Sequence, residues 1–383
     1  MSESAGIFLF IVSILFVVVV HEAGHFTLAK AFGIKVEEFF VGFGPRLWSF
    51  RRGETEYGVK ALPLGGYVRI AGMNPYQETP PEEMARTYGA KPIWQRALVI
   101  GAGPVTHFVM AILLFAIFFV AIGVQSGFVP AIGAVEPTLN GQPSPAAVAG
   151  LKAGDRIVAV DGIQIAPSED PDISGQQFID YTRAHVGQAI QITVSRDGKL
   201  ITASAAPVLS DVEGQQVGRL GVILGSVSTV RERTDPFTAI GRGANQTVVL
   251  VKAIVVRLGD VFGPSGLKRI GQLLTGSERR VDDVTSVVGG ARLAGEAAKA
   301  GAWDALFELL VIFNVFVGIL NLVPLPPLDG GHLAVLVYEK VRRKKPDIRK
   351  LVPFTVVVAG FLVLFALAVA YIDVTNPLPS PFR

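Results

Sequence analysis

Two histidines and a glutamate, in His21-Glu22-Ala23-Gly24-His25, close an apolar run that carries no charge over residues 5–20. On a helix, positions i and i+4 share a face, so both imidazoles can address one metal ion. The glutamate between them is then free to serve as general base on a water that the ion activates. A hydrolytic zinc site needs three protein ligands and one open position. The chain has no cysteine, which excludes thiolate ligands and disulfides and leaves His, Asp or Glu for the third place. Five histidines exist, at 21, 25, 107, 185 and 332. The block 321–332, Asn-Leu-Val-Pro-Leu-Pro-Pro-Leu-Asp-Gly-Gly-His, is the strongest source of that ligand. Its three prolines break an apolar segment and free backbone groups at membrane depth, which is tolerated where backbone lines a buried or wet cavity. Asp329 is the leading candidate and His332 its competitor; a plain helix cap is the other role open to Asp329. Ionisable groups in such segments are costly and usually functional.

The elements that must carry these groups are membrane elements. Half of the 383 residues are hydrophobic and 17% are charged, with a mean hydropathy of +0.47. That is the balance of a polytopic α-helical membrane protein, and a net charge of +3 gives no argument for nucleic acid. Four segments read as transmembrane helices: 1–33, 97–124, 303–325 and 351–372, the second with an early break at Gly101-Ala102-Gly103-Pro104. The first lacks a basic leader and a small-x-small cleavage site, and cleavage would sever the metal motif, so a retained helix is expected. Nine Lys and Arg lie between the first two helices and seven between Lys340 and Lys350, Lys345 among them. None precedes the first helix, and the tail 373–383 carries only Arg383. This bias puts both basic loops in the cytoplasm and both termini outside, with the metal motif near the cytoplasmic face.

Within 34–96, short apolar or alternating runs (Val36 to Val41, Leu47 to Phe50, Tyr57 to Ala61, Gly65 to Ile70) suggest a β-sheet on the membrane surface. It is either a plain interfacial hairpin or an edge that holds an extended substrate by its main chain. Residues 125–230 read as a compact extracytoplasmic module with turns at Asp161-Gly162 and Asp197-Gly198. Its run Ala149-Gly150-Leu151-x-x-Gly154-Asp155-x-Ile157-x-x-Val160-Asp161-Gly162 resembles bacterial PDZ domains, of which one copy is found. Residues 231–302 read as a membrane-proximal helical region, with short apolar helices such as 246–258 and no expected span; 326–350 hold the Leu-Asp-Gly motif and the basic loop.

Taken together, His-Glu-Ala-Gly-His on the first helix, one PDZ module and Asn-x-x-Pro-x-x-x-Leu-Asp-Gly-Gly-His late in the chain resemble the site-2 protease family of intramembrane zinc metalloproteases. The resemblance is to the bacterial regulator of sigma-E protease type, and it extends to Gly42-Phe43-Gly44-Pro45, Pro63 to Val68, Gly103-Pro104 and Gln272 to Gly276. It implies Zn2+ held by His21, His25 and Asp329, Glu22 as catalytic base, and Asn321 as a residue that holds the substrate backbone or polarises the scissile carbonyl. It also implies regulated intramembrane proteolysis in a bacterial inner membrane, on pre-trimmed single-pass proteins of the anti-sigma factor or signal-peptide-remnant type. The module is expected to filter substrates more than to capture peptides. Two departures stand out: His107 where the family often has Asn, and Phe316, two residues after Asn314, where it often has another Asn. His107 is read as helix packing and His185 as a surface residue of the module. The competing class is a membrane metal-binding or metal-transport protein with a PDZ docking module. It would require polar residues across the bilayer, whereas apart from Glu308 they gather near the cytoplasmic ends.

Overall fold

The computed structural model describes residues 2–74, 79–212, 215–280, 282–344 and 347–382; Lys345 and Arg383, which enter the charge bias, lie outside them. The chain forms two compact units, Met1–Ala116 with Ile240–Arg383, and Ile117–Ala239.

Helix α1 (Glu3–Ala31) starts at Ser2, whose hydroxyl accepts the Ala5 N–H at 3.2 Å, and stops where Gly33 takes a φ of 65°. Two long strands follow, β1 (Val36–Arg52) and β2 (Thr55–Ile70). Several short strands are expected from the sequence; the structure instead has two continuous ones that double back. Residues 36–41 pair with 66–70 on one side and with 56–59 on the other, and 48–52 close the far side against 55–59. The lateral order is therefore 66–70, 36–41, 55–59, 48–52, and among the described residues no further strand pairs with 66–70. Gly42 permits the bend, because its φ is 88° and a Cβ there would lie 2.7 Å from the Leu62 carbonyl oxygen.

Helix α2 (Ile93–Ala121) begins four residues before the expected start at 97, so Arg96 belongs to the helix rather than to a loop. It also continues through the glycine-proline stretch that reads as a break. Pro104 removes one backbone donor and crowds the turn before it without ending the helix.

The second unit contains β3 (Val124–Val135), β4 (Thr138–Leu139), β5 (Gln142–Pro143), α3 (Pro145–Val148), β6 (Arg156–Val160), β7 (Ile163–Gln164) and α4 (Gln176–Ala184). It continues with β8 (Ile190–Arg196), β9 (Lys199–Ala205), β10 (Val208–Val212), β11 (Gln215–Arg219) and β12 (Val222–Glu232). The main sheet runs β12-β3-β6-β8-β9, antiparallel throughout, with β7 on β6. Asp161-Gly162 and Asp197-Gly198 have positive φ at both residues (45° and 80°, 51° and 79°), the requirement of a tight two-residue hairpin. Ile132, Ile157, Val160, Phe178 and Ile192 fill the core. The Asp155 carboxylate, 1% exposed, accepts the Lys152 N–H at 2.9 Å and two Arg196 N–H groups at 2.7 Å. The Arg196 guanidinium holds its pKa below the usual carboxylate range.

Six helices complete the chain: α5 (Pro236–Phe262), α6 (Pro264–Leu274), α7 (Val287–Ala300), α8 (Trp303–Leu322), α9 (Asp329–Arg342) and α10 (Val352–Thr375). Among the described residues five helices are long and apolar enough to cross a membrane (α1, α2, α5, α8 and α10), one more than the four expected. The addition is α5. Lys252 and Arg257 interrupt its apolar run, which makes the sequence look like shorter pieces, but it forms one helix of 27 residues. Near its start it seats Gly243 on α2, where a Cβ would meet the Ile112 carbonyl oxygen at 2.7 Å. Small residues bring α1 and α7 together: a Cβ on Gly6 would lie 2.6 Å from both the Ala294 carbonyl oxygen and the Ala298 Cβ. Phe10 packs into the same seam and is 1% exposed.

Candidate metal centre

Helix α1 places His21 and His25 one turn apart, and α9 begins at Asp329. His21 Nε2 and His25 Nε2 are 3.1 Å apart, and Asp329 Oδ2 lies 3.2 Å from the first and 3.3 Å from the second. Among the described residues these three form the one group able to hold a metal ion together. His332, three residues further along α9, does not join it. The helix can start abruptly because Gly330 and Gly331 lack side chains. A Cβ on Gly330 would lie 2.3 Å from the Leu322 and Val323 carbonyl oxygens, and one on Gly331 would lie 2.4 Å from the Pro326 nitrogen. The three prolines and two glycines thus fold the chain back tightly enough to aim Asp329 at α1.

Proton placement tests whether this triangle suits zinc. His25 Nδ1 lies 2.8 Å from the Val99 carbonyl oxygen, which can only accept, so Nδ1 carries the proton and Nε2 presents a lone pair. Asp329 Oδ2 is buried and, among the described residues, receives no aligned hydrogen bond. Bare acceptors converging at such spacing repel one another unless a cation sits among them. Zinc bonds of roughly 2.0–2.1 Å at tetrahedral angles place ligand atoms about 3.3 Å apart, which matches the observed separations. The residues fit the ion.

The cradle depends on close helix contacts. A Cβ on Gly24 would lie 2.8 Å from the Ala102 carbonyl oxygen, so α1 and α2 meet backbone to backbone. Gly103 of α2 lies directly under the two imidazole rings, where a Cβ would come within 2.3 Å of His25 Nε2. Glu22, half-buried, leans toward the edge of the sheet at 66–70: its Cγ lies 3.3 Å from a Cβ built on Gly66, and the Val68 main chain reaches its carboxylate. Asn321 lies in the last turn of α8, half-buried, with no side-chain hydrogen bond among the described residues.

Sequence reasoning misses several neighbours. His107 is fully buried and meets His21 directly, its Nε2 3.0 Å from His21 Nδ1, so the reading of it as helix packing is corrected. Its other nitrogen meets Asn314 of α8. A histidine and an asparagine in two apolar helices were the available signal. Arg96 and Glu339 form a buried bidentate pair at 2.8 and 2.9 Å that ties α9 to α2, with Arg96 over the Tyr88 ring. Burial pushes the Tyr88 hydroxyl well up. His185, as expected, lies in the module, stacked on Tyr181 at 4.0 Å. Between α4 and β11–β12 the module has a cleft of about 650 Å³ lined by Phe178, Thr182, Arg183 and Leu220.

Comparison with known proteins is consistent along the chain. The profile of peptidase family M50 matches residues 9–369. The zinc metalloprotease Rip1 of Mycolicibacterium smegmatis is 33% identical over 97% of this chain and 98% of its own length. Rip1 of Mycobacterium tuberculosis is also 33% identical, with the same coverage, and the metalloprotease MmpA of Caulobacter vibrioides is 33% identical over 88% of each chain. Among solved structures, the PDZ domain of the SdrC-like protein from Listeria monocytogenes covers 26% of this chain and 90% of its own, at 25% identity and a TM-score of 0.20, a score that carries no structural argument.

Proposed function

This chain belongs to peptidase family M50 and is a multi-pass membrane zinc metalloprotease, and we propose that it cuts transmembrane segments of single-pass proteins whose outer domains have already been trimmed. The observation that carries this reading is the place of the ligand triangle. His21 lies about 27 Å along α1 at ~1.5 Å per residue. The hydrocarbon layer is about 30 Å thick, so a span that enters it at the start of α1 would hold the site inside its far boundary.

His21 Nε2, His25 Nε2 and Asp329 Oδ2 would hold the zinc. Bound zinc supplies Lewis acidity and lowers the proton affinity of water. Glu22 takes the proton of the attacking water on its carboxylate and returns it to the leaving amide nitrogen. A helical carbonyl is already hydrogen-bonded, so the substrate must first be drawn out. The edge at 66–70, passing Glu22, offers main-chain partners to an extended segment. The Asn321 amide would bond the same segment or its scissile carbonyl.

Packing supports four crossings. Helix α7 meets the N-terminal turns of α1, so α8 starts at that end. Asp329, just beyond α8, meets the later turns of α1, so α8 runs parallel to α1 and the chain returns from α2 to α8 on one side. Helix α6, with 11 residues, is too short to bring back a crossing α5. Helix α5 is then peripheral to the span bundle. The charge bias supports a cytoplasmic sheet and basic loop, with the second unit outside as a filter against untrimmed substrates of the anti-sigma factor or signal-peptide-remnant type.

The test is Glu22→Gln in the purified full chain. Zinc content should stay at the wild-type stoichiometry while cleavage of a reporter transmembrane substrate disappears. Cleavage at the wild-type rate would end the proposal.

A further inference from the structure

We infer that His107 and Asn314 form a proton-ordering relay that fixes the tautomer of His21 and so makes it a zinc ligand; the inference rests on the zinc-site reading above. His107 (α2) and Asn314 (α8) are both fully buried. Asn314 engages His107 twice: its Nδ2 donates to the His107 carbonyl oxygen at 2.8 Å, and its Oδ1 faces His107 Nδ1 at 2.9 Å. A flipped amide would set Oδ1 against that carbonyl oxygen, acceptor on acceptor, so the orientation is determined.

The consequences follow atom by atom. Oδ1 can only accept, so the proton of His107 is on Nδ1 and its Nε2 is the acceptor. That nitrogen lies 3.0 Å from His21 Nδ1, which must then carry the proton of His21. His21 Nε2 is left with its lone pair directed at His25 and Asp329. One amide orientation, fixed by a backbone carbonyl, thereby selects the metal-binding form of a ring two residues away in the chain of contacts. His107 itself is no ligand, because it sits on the Nδ1 side of His21, opposite the metal side. Gly318 of α8 makes room, since a Cβ there would lie 2.7 Å from the His107 Cβ. His107 and Asn314, 207 residues apart in the chain, thus act as one unit. His107 is a positioning residue, acting through His21.

The side chains that test this differ in which half of the relay they keep. Gln at 107 carries its amide near the Nε2 position and retains the contact to His21; Asn carries it near the Nδ1 position and retains only the contact to Asn314. In the full-length purified chain, zinc affinity is measured by competition with a chelator of known affinity, alongside the melting temperature of the zinc-free form. His107→Asn and His107→Leu are expected to bind zinc about 10–100-fold more weakly, the usual effect of losing a ligand-orienting partner. His107→Gln, which keeps an acceptor for the His21 Nδ1 proton but loses the Asn314 contact that fixes it, is expected to lose less affinity than His107→Asn. The visible absorption of the Co(II)-loaded chain should change in His107→Asn and not in His107→Gln. A merely structural role predicts the reverse or no order, because Gln gives up the Asn314 pairing. His107→Asn binding zinc as tightly as His107→Gln overturns the relay alone. A wild-type chain that binds no zinc overturns both the relay and the zinc-site reading.

Discussion

Two glycines, two residues apart on α2, should respond in opposite ways to the same methyl group. At Gly103 a Cβ would lie 2.3 Å from His25 Nε2, 2.6 Å from His25 Cε1 and 2.7 Å from His21 Cε1. Carbon contacts settle at about 3.5 Å or more, so Gly103→Ala must push the His25 ring by roughly 1 Å and the His21 ring by slightly less. Zinc ligation tolerates about 0.2 Å. Neither ring can retreat freely, since His25 is held by the Val99 carbonyl oxygen and His21 by His107. At Gly101 a Cβ meets nothing within 4 Å. Gly101→Ala should therefore bind zinc and cleave as wild type does, with roughly 0.5–1 kcal/mol of added helix stability. Gly103→Ala should lose zinc and cleavage, and the overpacking should lower the stability of its zinc-free form by about 1–3 kcal/mol without preventing folding. The assay is metal analysis after gel filtration, with thermal unfolding of the zinc-free proteins. Wild-type zinc content in Gly103→Ala would refute the packing argument for the metal cradle.

Two further outcomes follow from buried charge. Glu339→Gln leaves the Arg96 guanidinium buried without its bidentate partner, which should cost roughly 3–5 kcal/mol in thermal or denaturant unfolding. Because α9 carries Asp329 at its other end, zinc affinity should fall as well; the apolar double replacement Arg96→Met with Glu339→Leu should recover most of the stability, and a Glu339→Gln chain as stable as wild type would contradict this. In the second unit, Asp155 has a folded pKa depressed by Arg196, so its contribution is present above about pH 4 and is lost as pH falls toward the lower folded value. Asp155→Asn should remove about 2–3 kcal/mol at neutral pH, given that Arg196 is partly exposed, and should flatten the acid limb of the unfolding curve followed by limited proteolysis.

Local signals carried much of this molecule. His-Glu-Ala-Gly-His marks two candidate ligands because a helix repeats every 3.6 residues, and Asp-Gly turns mark hairpins because both residues need positive φ. The proline-rich block leads to Asp329 because broken backbone in lipid needs a reason. What stayed illegible depends on partners distant in sequence. The Val99 carbonyl that orients His25 is indistinguishable from any other helical carbonyl until α1 and α2 are docked through Gly24. His107 looks like one polar residue in an apolar helix until Asn314, 207 residues later, is placed beside it. Helix α5 reads as fragments because its lysine and arginine interrupt the apolar run, although the chain there forms one continuous helix. The four-row sheet is hidden in two strands whose bends are set by glycine conformation at Gly42 and Gly44, both with positive φ.

The measurement that tests the central claim most directly is the position of the cleaved bond. Full-length wild-type chain and a single-pass substrate lacking its outer domain are reconstituted in liposomes with zinc, and the products are sized by mass spectrometry, with Glu22→Gln as control. Hydrolysis inside the apolar segment of the substrate, in the half facing the basic loops, and absent in Glu22→Gln, is the predicted result. A bond cut only in the soluble flanks, or the same products with Glu22→Gln, would contradict it.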